Sequence, residues 1–193
     1  MKIWVTRHGQ TNLNKENLMQ GLTNEPLNDN GRQQARKARR RISNVTFDAV
    51  YSSPLDRAIE TGSIIGGVRQ EDVIRDPRII EMNFGRFELC NYYRMGPAMS
   101  LYWLYPDVFR APDTVDTMES MVSRTRDFFR ELEKKDYDNV LVSSHGVIMR
   151  ILCGYLNDRP NGISGRLLPG NCEIRVFEAA GGHHIFLKSY LPN

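Results

Sequence analysis

Cysteine is scarce and unpatterned in this chain. Cys90, Cys153 and Cys172 are an odd number with no Cys-x-x-Cys spacing, which argues against a disulfide framework and against a zinc knuckle. Reduced, partly buried thiols are what remains. No apolar run is long enough to cross a bilayer, and the opening residues 2–6, KIWVT, lack the basic region, apolar core and cleavage site of a secretory signal. The expectation is a cytoplasmic chain with no membrane partner. Net charge is also small, +3 over 193 residues. That is too little to demand a nucleic-acid partner, although it slightly favours anionic substrates. Internal repeats and low-complexity linkers are missing too, and a length of this order predicts one domain spanning residues 1–193.

Four short apolar runs read as strands: 3–6, 49–52, 140–143 and 172–177, the last alternating Cys172, Ile174 and Val176 with Glu173 and Arg175. Helical periodicity lies between them. Residues 31–42 place Ala35, Ala38 and Ile42 on one face, and residues 118–132 do the same with Met121, Val122, Thr125, Phe128, Phe129 and Leu132. Ser53 followed by Pro54 predicts one helix start, and Asp116 with Glu119 another. This alternation predicts an α/β fold of three layers, α/β/α, with a mostly parallel central sheet. The turn at 179–182, AAGG, predicts an antiparallel hairpin at one edge.

Residues 84–109 differ, because they hold eight of the 18 aromatic residues and Gly96-Pro97 interrupts any regular pattern. They read as a small helical insert, about 84–115, which either covers a site as a lid or packs as a side cluster.

In open α/β sheets, ligands sit beyond the carboxyl ends of the strands. Three such places carry cationic or cation-capable groups: Arg7-His8 after the first run, Arg57 after the second and His145 after the third. Arg57 falls near the start of a helix, where the macrodipole disfavours a cation by up to about 1 kcal/mol. Either Glu60 at i+3 or a bound phosphoryl group would compensate. Each histidine precedes a glycine, which lets the backbone turn or approach a ligand closely. Either is equally a turn histidine. No carboxylate or cysteine stands at ligand spacing around them, so no metal site is expected. Two imidazoles beside two arginines suit an anion.

These residues sit inside a longer ordered pattern: T-R-H-G-Q-T-N at 6–12, Asn14, Q-G at 20–21, P-L at 26–27, G-x-x-Q-A at 31–35, S-S-P-L-D-R-A-I-E-T at 52–61, E-M-N-F-G-R-F-E at 81–88 and S-H-G at 144–146. The sequence thereby resembles the histidine phosphatase superfamily, in its phosphoglycerate-mutase-like branch. The resemblance implies that His8 is the nucleophile, forming a phosphohistidine, with Arg7, Arg57 and His145 gripping the phosphoryl oxygens as three positive donors. It also implies that Glu81 is general acid and then base, that Asn14 adds an amide donor, and that Gln20 and Gly21 form a substrate loop. Local sequence leaves plainer roles open: a helix cap for Asn14, a surface pair with Arg75 or Arg78 for Glu81, and an ordinary connection for 20–21.

Departures from the family pattern are Leu89 where glycine is common, Asn24 where aspartate is common and Asn28 where threonine is common; they bear on substrate contacts. The implied function is hydrolysis of a small phosphomonoester without metal or organic cofactor. The alternatives are a phosphoglycerate mutase needing a bisphosphate primer, with Arg86, Arg94 or Arg110 holding the substrate carboxylate, and a non-catalytic phosphate or phosphopeptide binder. The aromatic insert suggests a leaving group with an apolar portion. Arg36, Lys37, Arg39, Arg40 and Arg41 read as the solvated face of a helix, and His183-His184 as exposed hairpin surface.

Overall fold

In the computed structural model, residues 1–106, 108–159, 162–165 and 167–191 are described. Along the chain come β1 (Lys2–Arg7), α1 (Asn12–Lys15), α2 (Asp29–Arg41), β2 (Ala49–Ser52), α3 (Asp56–Gly66), β3 (Ile74–Arg75), α4 (Gly96–Leu104), α5 (Met118–Leu132), β4 (Asn139–Ser144), α6 (Gly146–Tyr155), β5 (Ile174–Ala180) and β6 (His183–Tyr190). The strands form one sheet in the order β3-β2-β4-β1-β5-β6. β1 to β4 run parallel, while β5 and β6 are the antiparallel side. This is the expected three-layer architecture. Alternating side chains divide the core: Ile3, Val5, Val140 and Val142 pack with Phe128, Phe129, Ile148 and Ile151 of α5 and α6. Trp4, Val50 and Leu141 pack on the other face with Ala35, Ala38, Ile59 and Ile65 of α2 and α3.

Several element ends differ from the sequence reading, each for a local reason. β5 begins at Ile174 because Cys172 sits at φ +58, outside extended geometry. β3 is two exposed residues paired with β2, too short and polar to show as an apolar run. α3 begins at Asp56, after an extended Leu55 that provides no side-chain cap; Ser53 is drawn away to a buried histidine. α5 is capped by Thr117, whose side chain accepts from the Ser120 amide. Asp116 instead accepts from the Asn83 amide at 2.9 Å.

Two family departures become intelligible here. Asn28 caps α2, its Oδ1 accepting from Gly31 at 2.8 Å, and Asn24 Oδ1 accepts from the Asp56 amide at 2.9 Å at the start of α3. Both satisfy helix N-termini, a task for which asparagine is as suited as aspartate or threonine. Leu89, the third, stands at φ +64 and is exposed.

The basic residues of α2 follow the helix dipole: Arg39, Arg40 and Arg41 occupy its last turn, and Arg39 donates to the carbonyls of Ile42 and Val45. Arg36, Lys37, Arg40 and Arg41 are exposed. His184 does not fit the expected exposed hairpin. Its side chain is buried, with Nε2 2.8 Å from Glu133 and Nδ1 3.2 Å from Asp158, because β6 closes against the ends of α5 and α6. His183 is exposed. The three cysteines are unpaired. Among the described residues, no helix is long and apolar enough to cross a membrane.

The aromatic insert contains two 3-10 turns, Gly85–Phe87 and Tyr92–Arg94, followed by α4. Phe84, Met99, Tyr102 and Val115 are buried in the same cluster as the sheet residues. Trp103 packs against Phe84 and Tyr92, with ring centroids 5.8 and 5.6 Å apart. The crevice beside them, lined by Met82, Tyr102, Trp103 and Val147, measures about 20 Å³. That is room for one water molecule rather than a ring. These aromatics are engaged with one another and with the core.

Gly9 and Gly31 fix how the segment after β1 crosses the start of α2. A Cβ on Gly31 would meet Gln10 O at 2.2 Å, and one on Gly9 would meet Gly31 O at 2.6 Å. Helix propensity alone favours alanine over glycine by about 1 kcal/mol. The backbone clash outweighs it, so Gly31→Ala is expected to destabilise by about 1–3 kcal/mol in urea unfolding. Leu89→Gly should act oppositely, relieving the left-handed backbone and raising stability by about 1 kcal/mol. Its measurement is the urea midpoint at unchanged slope.

Candidate active site

The carboxyl ends of β1, β2 and β4 bring Arg7, His8, Arg57 and His145 into one buried cluster. Register aligns Arg7 with Ser144 and Ser52 with Ser143. Buried serine hydroxyls tie the loops beyond: Ser143 Oγ donates to Ala58 O and Ser144 Oγ to Ile79 O, each at 2.8 Å. The rings of His8 and His145 lie 5.1 Å apart in an edge-on arrangement.

His8 is 3% exposed, and its Nδ1 is 2.7 Å from the carbonyl of Gly9. A carbonyl only accepts, so Nδ1 carries the hydrogen and Nε2 keeps its lone pair when the ring is neutral. Burial, with Arg57 and Arg7 nearby, holds the His8 imidazolium well below its usual range. Asn171 Nδ2 donates to the His8 carbonyl at 2.9 Å, and Thr61 Oγ1 accepts from the Gly9 amide at 3.0 Å. The ring is held from both sides of its backbone.

His145 caps the start of α6, with Nε2 2.7 Å from Ser53 Oγ. Burial and the charges of Arg57, His8 and Arg7 push its pKa well down as well. Both imidazoles are therefore neutral at pH 7. The expectation of three positive donors is corrected: the fixed positive charge comes from Arg7 and Arg57, because two cations already occupy the same low-dielectric space.

Arg57 has no exposed surface and occupies the second position of α3. Glu60 does not compensate it; that carboxylate accepts from Arg32 Nε at 2.7 Å. Arg57 Nη1 donates to Thr23 O and Nη2 to Gly21 O, both at 2.7 Å. Burial brings its pKa down to about 10, and the group stays charged at neutral pH. Arg7 Nη1 donates to Pro169 O at 2.7 Å.

Glu81 is buried, not paired at the surface; Arg78 binds Asp76 and Glu131 instead. Its carboxylate accepts from the Met82 amide at 2.9 Å and from the Val147 and Ile148 amides at 3.2 Å. It thus sits at the positive end of α6. Burial nevertheless raises its pKa, against those amides and Arg57. Arg124 donates to the carbonyls of Arg78 and Ile80 and steadies the segment.

Asn14 completes the capping box of α1, and its Oδ1 lies 3.3 Å from the Thr11 amide and 3.4 Å from Asn171 Nδ2. The cap role is real. With the carbonyl end so engaged, the amide NH2 end is the one left to bind a ligand. Gln20 is similar, its Oε1 accepting from Thr11 Oγ1 at 2.8 Å. Gly21 serves through its carbonyl on Arg57. Arg86, Arg94 and Arg110 are exposed, and Arg86 lies over the Phe87 ring.

Six buried side-chain polar atoms have no hydrogen-bond partner among the described residues, and four are Arg7 Nε, Gln20 Nε2, Arg57 Nε and His145 Nδ1. Such groups are normally satisfied. Three of these four, on Arg7, Gln20 and Arg57, are N–H donors, and all four fall on residues picked out by sequence. Thr61, Ser53, Asn171 and Arg124 were not picked out. Thr61 and Ser53 do lie within the 52–61 motif, but only the fold shows what they touch. Among the described residues, no cluster of three or more His, Cys, Asp or Glu side chains is placed to hold a metal ion.

Comparison with known proteins agrees with this geometry. The profile of the histidine phosphatase superfamily (branch 1) matches residues 3–190. The adenosylcobalamin/α-ribazole phosphatase of Escherichia coli is 30% identical over 164 residues, covering 83% of this chain and 81% of that protein. Phosphoserine phosphatase 1 of Hydrogenobacter thermophilus is 29% identical over 162 residues, covering 79% and 74%. Among solved structures, the phosphoserine phosphatase of Entamoeba histolytica in complex with 3-phosphoglyceric acid superposes with a TM-score of 0.83 at 26% identity, covering 97% and 95%.

The buried imidazoles make stability depend on pH. Folded His8 and His145 stay neutral where an unfolded histidine, with its ordinary pKa of 6.5, becomes charged. Below that pH the unfolded chain binds more protons, so stability falls as pH drops, by at most about 1.4 kcal/mol per unit for each histidine. Glu81, its pKa raised above 4.5, acts in the opposite sense as pH rises above that value. The expected result is a Tm that declines from neutral to mildly acidic pH in the parent and declines less in His8→Asn/His145→Asn, measured by circular dichroism.

Proposed function

The chain belongs to the histidine phosphatase superfamily, and from that premise we propose that it hydrolyses small phosphomonoesters through a phosphohistidine on His8. The observation that carries this reading is the set of three buried N–H donors without a partner among the described residues, on Arg7, Gln20 and Arg57, with His145 Nδ1 also unpartnered, beside a histidine whose neutral tautomer keeps Nε2 as a nucleophile. Donors fixed before the ligand arrives stabilise charge on phosphoryl oxygens without reorganising.

In the first half-reaction His8 Nε2 attacks phosphorus, the Nε2–P bond forms, and the bond from phosphorus to the leaving oxygen breaks. Glu81, whose raised pKa lets it hold a proton, delivers that proton to the leaving alkoxide. Water then attacks the phosphohistidine, its proton passes to the Glu81 carboxylate, and the N–P bond breaks to release inorganic phosphate. Arg57, buried, and Arg7, half-buried, supply the positive charge that a metal supplies elsewhere, so no metal or organic cofactor is needed. The unpaired thiols fit a reducing compartment such as the cytoplasm.

Two assays test the reading: p-nitrophenyl phosphate alone, and 3-phosphoglycerate with a bisphosphate primer. Release of inorganic phosphate, insensitive to EDTA, is expected. Isomerisation without release would establish a mutase instead, and silence in both a binder. His8→Ala should lower kcat by at least about 10³-fold. Glu81→Gln should slow phosphorylation of His8 by alkyl phosphates about 10²–10⁴-fold but by p-nitrophenyl phosphate far less, since nitrophenolate leaves without a proton, while the water step common to both substrates slows equally. Parent-level turnover by folded His8→Ala would overturn the proposal.

A further inference from the structure

Residues 21–23 are gripped from two sides. Glu88 Oε1 accepts from the Gly21 amide at 2.9 Å and from the Thr23 amide at 2.8 Å. The carbonyls of the same two residues accept the two outer nitrogens of Arg57, both at 2.7 Å. A carboxylate thus holds the loop by its N–H groups while the guanidinium holds it by its C=O groups. The fit is close: a Cβ on Gly21 would lie 2.4 Å from Met82 O and 2.7 Å from Glu88 Oε2. Among the described residues Arg57 Nε has no partner, so Nη1 and Nη2 are what fix the guanidinium. Where the guanidinium sits therefore depends on where the 21–23 carbonyls sit, and these depend on Glu88.

We propose that Glu88 is a positioning residue for phosphoryl transfer: it fixes the 21–23 backbone, and that backbone aims Arg57 into the phosphate cup. Its negative charge reinforces the arrangement, helping to keep the buried guanidinium charged. Glu88 comes from the aromatic insert, in the turn just after Gly85–Phe87. The insert thereby contributes to the cup without touching the phosphoryl group. The inference rests on the reading of Arg57 as a phosphate-binding group.

The test compares Glu88→Ala, Glu88→Gln, Glu88→Asp, Arg57→Ala and the Arg57→Ala/Glu88→Ala double variant. Two readouts are used: kcat/KM for p-nitrophenyl phosphate, and the Kd for orthovanadate, which needs no turnover. Glu88→Ala should lose about 10- to 100-fold in both. Glu88→Gln, which keeps an acceptor oxygen at the same reach, should recover most of that loss, while the shorter Glu88→Asp should not. The double variant should be no worse than Arg57→Ala, because Glu88 acts through Arg57. Losses that multiply in the double variant, or parent-level vanadate affinity in Glu88→Ala, overturn the inference. Should Glu88→Ala fail to fold by circular dichroism, the contrast between folded Gln and Asp variants decides, and equal behaviour of the two overturns it. Parent-level vanadate affinity in Arg57→Ala would instead sink the phosphate-cup reading, which keeps the two failures apart.

Discussion

A guanidinium with no exposed surface keeps its charge at neutral pH and cannot keep its hydration shell, so its surroundings must replace the lost water. Arg57 is in that position, and Arg7 shares the space. The replacement is mostly backbone, the carbonyls of Gly21, Thr23 and Pro169, while the charges of Glu81 and Glu88 favour the Arg57 cation. The imidazoles of His8 and His145 nearby stay neutral, because burial and the two cations both disfavour their charged forms. The result is a cluster with fixed positive charge and buried side-chain nitrogens that have no partner among the described residues.

The sheet makes this arrangement possible. Parallel pairing of β1, β2 and β4 ends three strands at one level, so residues far apart in sequence emerge side by side. Buried hydroxyls at those ends lock the following loops to neighbouring strands. The glycine contact between Gly9 and Gly31 brings the start of α2 against the chain carrying His8, leaving that segment little freedom. His8, just past the end of β1, is thus held by its neighbours' hydrogen bonds, which suits the position-dependent chemistry proposed for it.

Glu81 shows how opposing influences are balanced. Three amides and a nearby arginine favour its anion, while removal from water favours its acid, and burial prevails. A carboxyl group that can both release and recover a proton is what the two half-reactions proposed for this site require.

Much of this was legible in the order of residues. Apolar runs and helical periodicity predict the layers, and the carboxyl-end rule singles out Arg7, His8, Arg57 and His145 without any structure. Local chemistry, such as Asn14 as a cap, is legible for the same reason: it depends on neighbours a few positions away. Tertiary structure decided what depends on distant neighbours. It turned Glu81 inward, gave Glu60 to Arg32, buried His184 between two carboxylates, and left both imidazoles neutral. Those outcomes follow from burial and from which charges share a low-dielectric space, and neither quantity exists until the chain has closed on itself.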